Sequence, residues 1–282
     1  MVYGISLTDS KNRKEKIQKS LAASFIATGA GYATLKAEGY LNKRLVLKGL
    51  NKFNLTENEK DIFLQKAEEV IKQNGLENFG VKLKLVDETT PLPEDKKFLK
   101  TFNQIVKKNN ACYHPREKNV YINRDFLTPV FHELGHAKNH QSGLSGKILK
   151  LAKRVNNKYI VYGIPLAAIF SNKMKPENTD KKLSNSEKTF NILRASTGVL
   201  VSLGFLPRLA EEYSASKRGY NMAKEAGLDE KLLNTINKNH KWGFKSYIRG
   251  AGMFAIAVTA AIQLKDFLEN KMTNYHKRDL IK

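Results

Sequence analysis

Cysteine is almost absent from this chain of 282 residues, and its scarcity excludes two kinds of structure. Cys112 is the single cysteine, so no disulfide can form within the chain and no zinc cluster can be built from several thiolates. We expect Cys112 to be a small, buried apolar side chain. Covalent cross-links therefore contribute nothing to the stability expected for this chain.

Acidic residues are also scarce compared with basic ones. The chain has 49 Lys and Arg against 27 Asp and Glu, a net charge of +22, which attracts anionic lipid headgroups, nucleic acid or acidic proteins at low salt. The basic residues, mostly lysine, are spread along the whole chain among Asn and Glu. This spread indicates a solvated surface rather than a focused nucleic-acid face, so nucleic acid is not an expected partner.

Long hydrophobic runs are missing as well. The chain has four apolar segments, of which the longest has 15 residues: 21–35, 159–170, 195–207 and 250–264. A 15-residue helix covers about 22 Å of a hydrocarbon layer roughly 30 Å thick, so spans of this length require flanking Lys and Arg to reach the interface or the bilayer to thin. The alternative is that these segments are buried helices of a soluble protein.

The first apolar segment follows a basic stretch, Lys11 to Lys19, in the order that a signal peptide has. The basic stretch is long, and the segment has no clean small-residue cleavage site. We therefore expect an uncleaved helix here.

The segment between the first and second apolar runs has the pattern of a small α+β unit. Thr56 and Glu59 form a capping box at the start of an amphipathic helix that Gly75 ends. Three further elements are predicted downstream: a strand within 79–88, a helix from about 93 to 109, and a hairpin within 111–123. The fold class predicted for the chain is mostly α with a small β-hairpin or sheet.

His132-Glu133-x-x-His136 is the pattern that indicates chemistry. Thr128 and Pro129 supply a predicted helix start, with Thr as the N-cap and Pro at the first position. The two histidines lie one turn apart, so both imidazoles can bind one metal ion, and Glu133 can reach a water on that ion. With Zn²⁺ the pKa of the water falls to about 7, and Glu133 can carry its proton from the attack on a peptide carbonyl to the leaving amine.

Zinc requires a third ligand, and the other histidines are poor candidates. His140 continues the i+4 series, but it lies about 6 Å further along the helix than His136. His114 is either an oxyanion donor or a loop residue, and His240 and His276 have no partner nearby in sequence. A strand within 119–123 directly precedes the helix, where a peptidase would hold its substrate against a sheet edge.

A helix predicted between Pro207 and Gly227 offers a better third ligand. Glu211 and Glu212 lie in its first turns, and a carboxylate from a second helix completes the zinc site of glutamate zincins. Ser216, one turn after Glu212, can hydrogen bond to a metal-binding group. The alternative is that two glutamates near a helix N-terminus simply suit the helix dipole.

The order HELGHA, two apolar segments and E-x-x-A-S-K-R resembles the bacterial membrane neutral zinc metallopeptidases, and more distantly the heat-shock membrane protease and the CAAX prenyl endopeptidase. The resemblance covers about residues 119–226. It implies His132, His136 and Glu212 as zinc ligands, since the E-x-x-A-S register begins at Glu212 and not at Glu211. It also implies Glu133 as the general base, Ser216 as a supporting hydrogen-bond partner and Arg218 as a group that polarises the substrate carbonyl. The chain has Gly219 where the family usually has Ala, and we interpret this difference as minor.

These patterns predict a zincin-like core combined with about four short, membrane-associated apolar helices. Two crossings between the metal motifs would return the second motif to the side of the first, which by analogy is the cytoplasmic side. The predicted segments are a basic N-terminal helix, an α+β part with the HELGH helix, an apolar hairpin, the helix with Glu212, and a C-terminal apolar helix: 1–40, 41–157, 158–207, 208–249 and 250–282.

Three functions follow from different readings of these residues. The first is a membrane-associated zinc endopeptidase with peptide or protein substrates, contacting membrane lipids. The second is a basic membrane- or nucleic-acid-binding protein in which HELGH is incidental or has lost its activity. The third is a metal hydrolase with a non-peptide substrate.

Overall fold

The computed structural model describes residues 7–50, 55–107, 110–143, 146–147, 151, 154, 159–176 and 181–279. This part of the chain is mostly helical with a three-stranded sheet, which confirms the α+β fold class. The strands are β1 (Lys82–Leu85), β2 (Cys112–His114) and β3 (Asn119–Ile122). The helices are α1 (Leu7–Leu50), α2 (Glu57–Gln73), α3 (Leu99–Val106), α4 (Val130–Gln141), α5 (Ile164–Phe170), α6 (Asn185–Ala195), α7 (Thr197–Leu203), α8 (Leu206–Glu225) and α9 (Glu230–Asp279), with short 3-10 and π segments at Glu77–Phe79 and Tyr159–Gly163.

The chain divides into two compact units. Unit 1 comprises Met1–Tyr40, Val155–Phe205 and Gly250–Lys282, and unit 2 comprises Leu41–Arg154 and Leu206–Arg249. The helices α1 and α9 therefore have residues in both units.

The sheet of unit 2 has the order β1–β3–β2, with β3 parallel to β1 and antiparallel to β2. The predicted hairpin is confirmed, because β2 and β3 pair directly. The sequence suggested that the strand before the HELGH helix lies at a sheet edge, and this was wrong. That strand, β3, is central because β1 returns to pair with its other side, so the edges of this sheet are β1 and β2.

The helices of unit 2 begin and end close to the predicted positions, with two differences. The capping box of Thr56 and Glu59 starts α2 as predicted, and Gly75 ends it with φ 63°. The helix α3 begins only at Leu99, later than predicted. Thr128 does not cap α4, which has Pro129 at its N-cap position; the Thr128 hydroxyl instead accepts a hydrogen bond of 2.8 Å from the Asn239 amide.

The core of unit 2 lies where α4 packs between the sheet and the helices α2 and α8. Phe131, Leu134 and Ala137 of α4 are fully buried there. Their burial fixes the orientation of α4 around its axis, and the opposite side of the helix carries His132 and His136. The apolar side of HELGHA therefore positions the side that carries the two histidines.

Unit 1 has its own small core, formed by Ala27, Ile169, Val201, Phe254 and Ile262 with their neighbours. Buried ionic contacts accompany this core. Both terminal nitrogens of Arg194 lie 2.7 Å from the Asp266 carboxylate. The Nζ of Lys265, which is fully buried, donates to Asn172 and Glu269. These charges are paired, as buried charges must be.

Large apolar side chains are exposed on unit 1. They include Phe25, Ile26, Tyr32, Ile164, Leu166, Ile192, Leu193, Val199, Leu200, Leu203, Ile256 and Phe267. Soluble monomers seldom expose so many large apolar side chains in one compact unit.

The expectation of about four membrane-associated apolar helices was wrong. Within the described residues, one helical segment, Glu230–Met272, is long and apolar enough to span a membrane, and 33% of its apolar window is buried. A second candidate arises only if Asn185–Ala195 and Thr197–Glu225, which meet at 63°, are one broken span. The many small residues in 21–35 lower its mean hydropathy, and the apolar helix at 159–170 is too short to span a membrane. A core helix of a soluble protein meets the same criteria as Glu230–Met272.

Candidate metal centre

Two glycines allow α4 and α8 to lie with their backbones in direct contact. A Cβ atom added at Gly135 would lie 2.0 Å from the carbonyl oxygen of Ala215, and one added at Gly219 would lie 2.1 Å from that of Phe131. No side chain larger than hydrogen fits at either position without moving a helix. The replacement of Ala by Gly219, interpreted from the sequence as minor, is therefore a condition for this close approach.

The close approach brings His132, His136 and Glu212 together. The Nε2 atoms of the two histidines lie 3.0 Å apart. The Oε2 atom of Glu212 lies 3.2 Å from Nε2 of His132 and 3.5 Å from Nε2 of His136. Among the residues that the structure describes, this is the group of histidine, cysteine and acidic residues that can hold a metal ion.

The dimensions of this triangle match those of a tetrahedral metal ion. Zinc binds His nitrogen and carboxylate oxygen at 2.0–2.1 Å in tetrahedral geometry, so its ligand atoms are about 3.3 Å apart. The three separations of 3.0, 3.2 and 3.5 Å bracket this value. Two imidazoles and one carboxylate are also a donor set that zinc accepts. These residues therefore fit a divalent ion in both size and chemistry.

The outer ring nitrogens of both histidines have partners that fix the rings. The Nδ1 atom of His132 lies 3.0 Å from Oγ of Ser216, and Nδ1 of His136 lies 2.5 Å from Oε1 of Glu211. When each Nδ1 donates its proton outwards, each Nε2 presents a lone pair to the centre of the triangle. Three acceptor atoms then converge, an arrangement that a cation stabilises.

Without a metal ion, a proton can take the place of that cation. Burial by itself lowers the pKa of His136, but hydrogen bonds to Glu211 and Glu212 outweigh it and raise the pKa to about 10. Metal binding must then displace a proton from His136 throughout the neutral range. Affinity for a divalent ion consequently depends on pH.

We expect the affinity for Zn²⁺ to rise with pH by close to tenfold per unit between about pH 6 and pH 9, because one proton leaves His136 for each ion bound. Competition titrations with a chromophoric chelator at constant ionic strength measure this slope. The variant Glu211→Gln, which lacks the charge that raises the pKa of His136, should give a shallower slope. Equal affinities at pH 6 and pH 8 in the unmodified protein would contradict the assignment of His136.

Glu133 lies beside the triangle in a cavity of about 160 Å³. Its Oε2 atom accepts a hydrogen bond of 2.7 Å from the backbone N–H of Tyr113, in the edge strand β2. The cavity is lined by His132, Glu133, Glu212 and Ser216, by residues before α4, and by the face of α9 that carries Asn239, His240, Phe244 and Tyr247. Glu133 therefore lines a small cavity together with His132 and Glu212.

Not every residue singled out in the sequence belongs to this centre. Arg218 does not line the cavity; it lies six residues after Glu212, so its side chain leaves α8 about 120° away around the helix. His140 is exposed, and its ring lies 6.1 Å from that of Tyr113. His114 lies in β2 near Asp95 and Glu117. The carbonyl-polarising role of Arg218 stays a prediction.

Three residues at the centre have roles that the sequence did not predict, because Glu211 was considered only as a metal ligand and His240 only as a histidine without a nearby partner. Glu211 orients His136. Arg208 has a terminal nitrogen 2.5 Å from Oε1 of Glu212. His240 is buried, its ring lies 5.4 Å from that of His132, and its Nε2 has no hydrogen-bond partner within the described ranges. Only Arg208 had a local signal, its spacing of one helical turn before Glu212.

Comparison of the chain with protein-family models, with curated protein sequences and with solved structures found no match in any of the three.

Proposed function

We propose that this protein is a membrane-associated, zinc-dependent endopeptidase. The observation that supports the proposal most strongly is the triangle of His132, His136 and Glu212, whose separations suit a tetrahedral zinc ion. A lapsed or incidental HELGH would have no need for Ser216 and Glu211 to orient both outer ring nitrogens. Each histidine has a hydrogen-bond partner at its outer ring nitrogen, as metal-binding histidines in proteins usually do.

In this proposal, His132, His136 and Glu212 would hold a zinc ion, which when bound would polarise a substrate carbonyl and lower the pKa of a water molecule. Glu133 is the general base. It faces the cavity beside the ligands, takes a proton from the attacking water and delivers it to the leaving amine nitrogen. The hydrogen bond from the Tyr113 N–H holds the Oε2 atom of Glu133 and so limits rotation of this carboxylate.

His240 is suited to accept a hydrogen bond from a substrate N–H. Burial lowers the pKa of His240 well below its usual value, and the ring donates a hydrogen bond to the Ser216 backbone. Since Nε2 has no partner within the described ranges, the proton of the neutral ring is on Nδ1, and Nε2 presents a lone pair to the cavity that it lines. An unpartnered buried polar atom carries a free-energy penalty that a ligand can relieve. The oxyanion-donor role suggested for His114 stays a prediction.

Membrane association is proposed from two features of the chain. The exposed apolar side chains of unit 1 and the segment Glu230–Met272 suit a hydrocarbon environment. The net charge of +22 suits anionic headgroups. Substrates are then peptides or unfolded proteins near the bilayer, and we assign the catalytic side to the cytoplasm by analogy with the family that the motifs resemble.

The proposed activity can be measured on the full-length chain in detergent micelles, with fluorescently labelled, unfolded casein as the substrate. We expect cleavage at internal peptide bonds that stops when a chelator removes zinc and resumes when zinc is restored. The fragments can be identified by mass spectrometry.

Parallel assays of zinc binding, ester hydrolysis and vesicle binding on the same protein identify the rival functions. Tight zinc binding with hydrolysis of esters or phosphoesters, but never of peptides, would indicate a hydrolase with a non-peptide substrate. Failure to bind zinc, together with salt-sensitive binding to anionic vesicles or nucleic acid, would indicate a basic binding protein.

A further inference from the structure

Arg208 lies one helical turn before Glu212 in α8, and it contacts the carboxylate that completes the metal centre. Its Nη2 atom is 2.5 Å from Oε1 of Glu212. Its guanidinium group also lies 5.7 Å from the ring centroid of Tyr247 and hydrogen bonds to the Tyr247 side chain. Although the residue as a whole is exposed, its charged end is directed inwards and held between two partners.

The two oxygens of Glu212 consequently face different cations. Oε2 faces the two Nε2 atoms at 3.2 and 3.5 Å, whereas Oε1 faces Arg208. A carboxylate with one oxygen held by guanidinium has one oxygen left for a metal ion. A carboxylate with both oxygens free can bind through both and occupy two coordination positions.

We propose that Arg208 is a positioning residue that restricts Glu212 to one metal-binding oxygen and so preserves an open coordination position. This inference rests on the metal centre of the proposed function. Catalytic zinc sites keep three protein ligands and one position for water or substrate. Binding of zinc through both oxygens of Glu212 would fill or crowd that position.

Charge balance gives Arg208 a second effect on the same ion. Glu133, Glu211 and Glu212 are all buried, with exposed fractions of 9%, 2% and 1%. A divalent ion and one guanidinium group together neutralise these three carboxylates. Without Arg208 one negative charge would remain next to the ion, and a more negative ligand set makes a bound metal a weaker Lewis acid.

The test uses Co²⁺ in place of zinc, because a four-coordinate Co²⁺ ion absorbs visible light more strongly than a five- or six-coordinate one. In Co²⁺-loaded, full-length protein we expect the d–d absorption of Arg208→Gln to be weaker than that of the unmodified protein by about twofold or more. Arg208→Lys, which retains a charge that can hold Oε1, should restore most of the intensity. Arg124→Gln is the matched control, since Arg124 pairs with Asp61 on the surface of unit 2.

The outcomes separate this inference from the proposed function. Equal Co²⁺ spectra in Arg208→Gln and the unmodified protein would overturn the role of Arg208 and leave the metal centre intact. Failure of the unmodified protein to bind Co²⁺ or Zn²⁺ would overturn the centre itself.

A second measurement does not depend on how the variants fold. Zinc-edge X-ray absorption of the unmodified, zinc-loaded protein should give four nitrogen or oxygen neighbours. Five or six neighbours would contradict a Glu212 that binds through one oxygen.

Discussion

Replacement of Gly219 by Ala is expected to destabilise unit 2 by about 3 kcal/mol or more, because the added methyl group cannot fit between α8 and α4. The new Cβ would lie 2.1 Å from the carbonyl oxygen of Phe131, a backbone atom that moves only with its helix. Separation of the two helices would also move Glu212 away from the histidines. Denaturant unfolding of the full-length protein and zinc titration measure the two effects.

Gly243→Ala provides the control for the stability measurement. Gly243 lies in α9 within unit 2, and a Cβ added there meets no atom within 4 Å. Since Ala favours a helix over Gly, this variant should be as stable as the unmodified protein or more stable by up to about 1 kcal/mol. Equal stability of the Gly219→Ala and Gly243→Ala variants would show that α4 and α8 do not lie in backbone contact.

Replacement of Glu133 by Gln is expected to reduce peptide hydrolysis by about 10³-fold while zinc remains bound, since the amide cannot accept a proton from water. The Gln side chain is isosteric, and its carbonyl oxygen can still accept the hydrogen bond from Tyr113 N–H. The loss should therefore appear in kcat, with little change in stability. Zinc content, unfolding and casein cleavage are measured on the same preparation.

Glu225→Gln is the matched control for this variant, because Glu225 is an exposed residue at the end of α8. It should retain full activity. Unchanged cleavage by the Glu133→Gln variant would remove Glu133 from the proposed mechanism, whichever residue binds the metal.

The features predicted well from the sequence depend on neighbouring residues. The capping box of α2 and the pairing of β2 with β3 follow from residues within a few positions of each other. The pairing of His132 with His136 likewise follows from one turn of a single helix. The choice of Glu212 over Glu211 depended on a motif register, and the structure brings Glu212 to the two Nε2 atoms.

The features that sequence reasoning missed depend on tertiary contacts. Glu211 meets His136 across 75 positions of the chain, and the need for glycine at 219 arises only where α8 touches α4. β1 joins β3 from a distant segment, so the strand order was not visible locally. The number of membrane-spanning apolar helices was overestimated. Whether a helix can span a membrane depends on the length and mean hydropathy of the complete helix, and the sequence did not show where each helix begins and ends.

Cys112 is half-buried, less completely than the sequence led us to expect. Desolvation raises the pKa of its thiol to about 12, so the thiolate is scarce at neutral pH and reacts slowly.

The most direct test of the metal centre is the zinc content of the purified full-length protein after equilibration with zinc and removal of weakly bound ions. One zinc per chain is expected for the unmodified protein and for His140→Ala, whose exposed histidine lies on the same helix but outside the triangle. His136→Ala and Glu212→Ala should retain less than a tenth of that zinc, by analogy with the losses that follow removal of supporting groups alone. Equal zinc contents in all four proteins, or no zinc in the unmodified protein, would contradict a metal centre built from His132, His136 and Glu212.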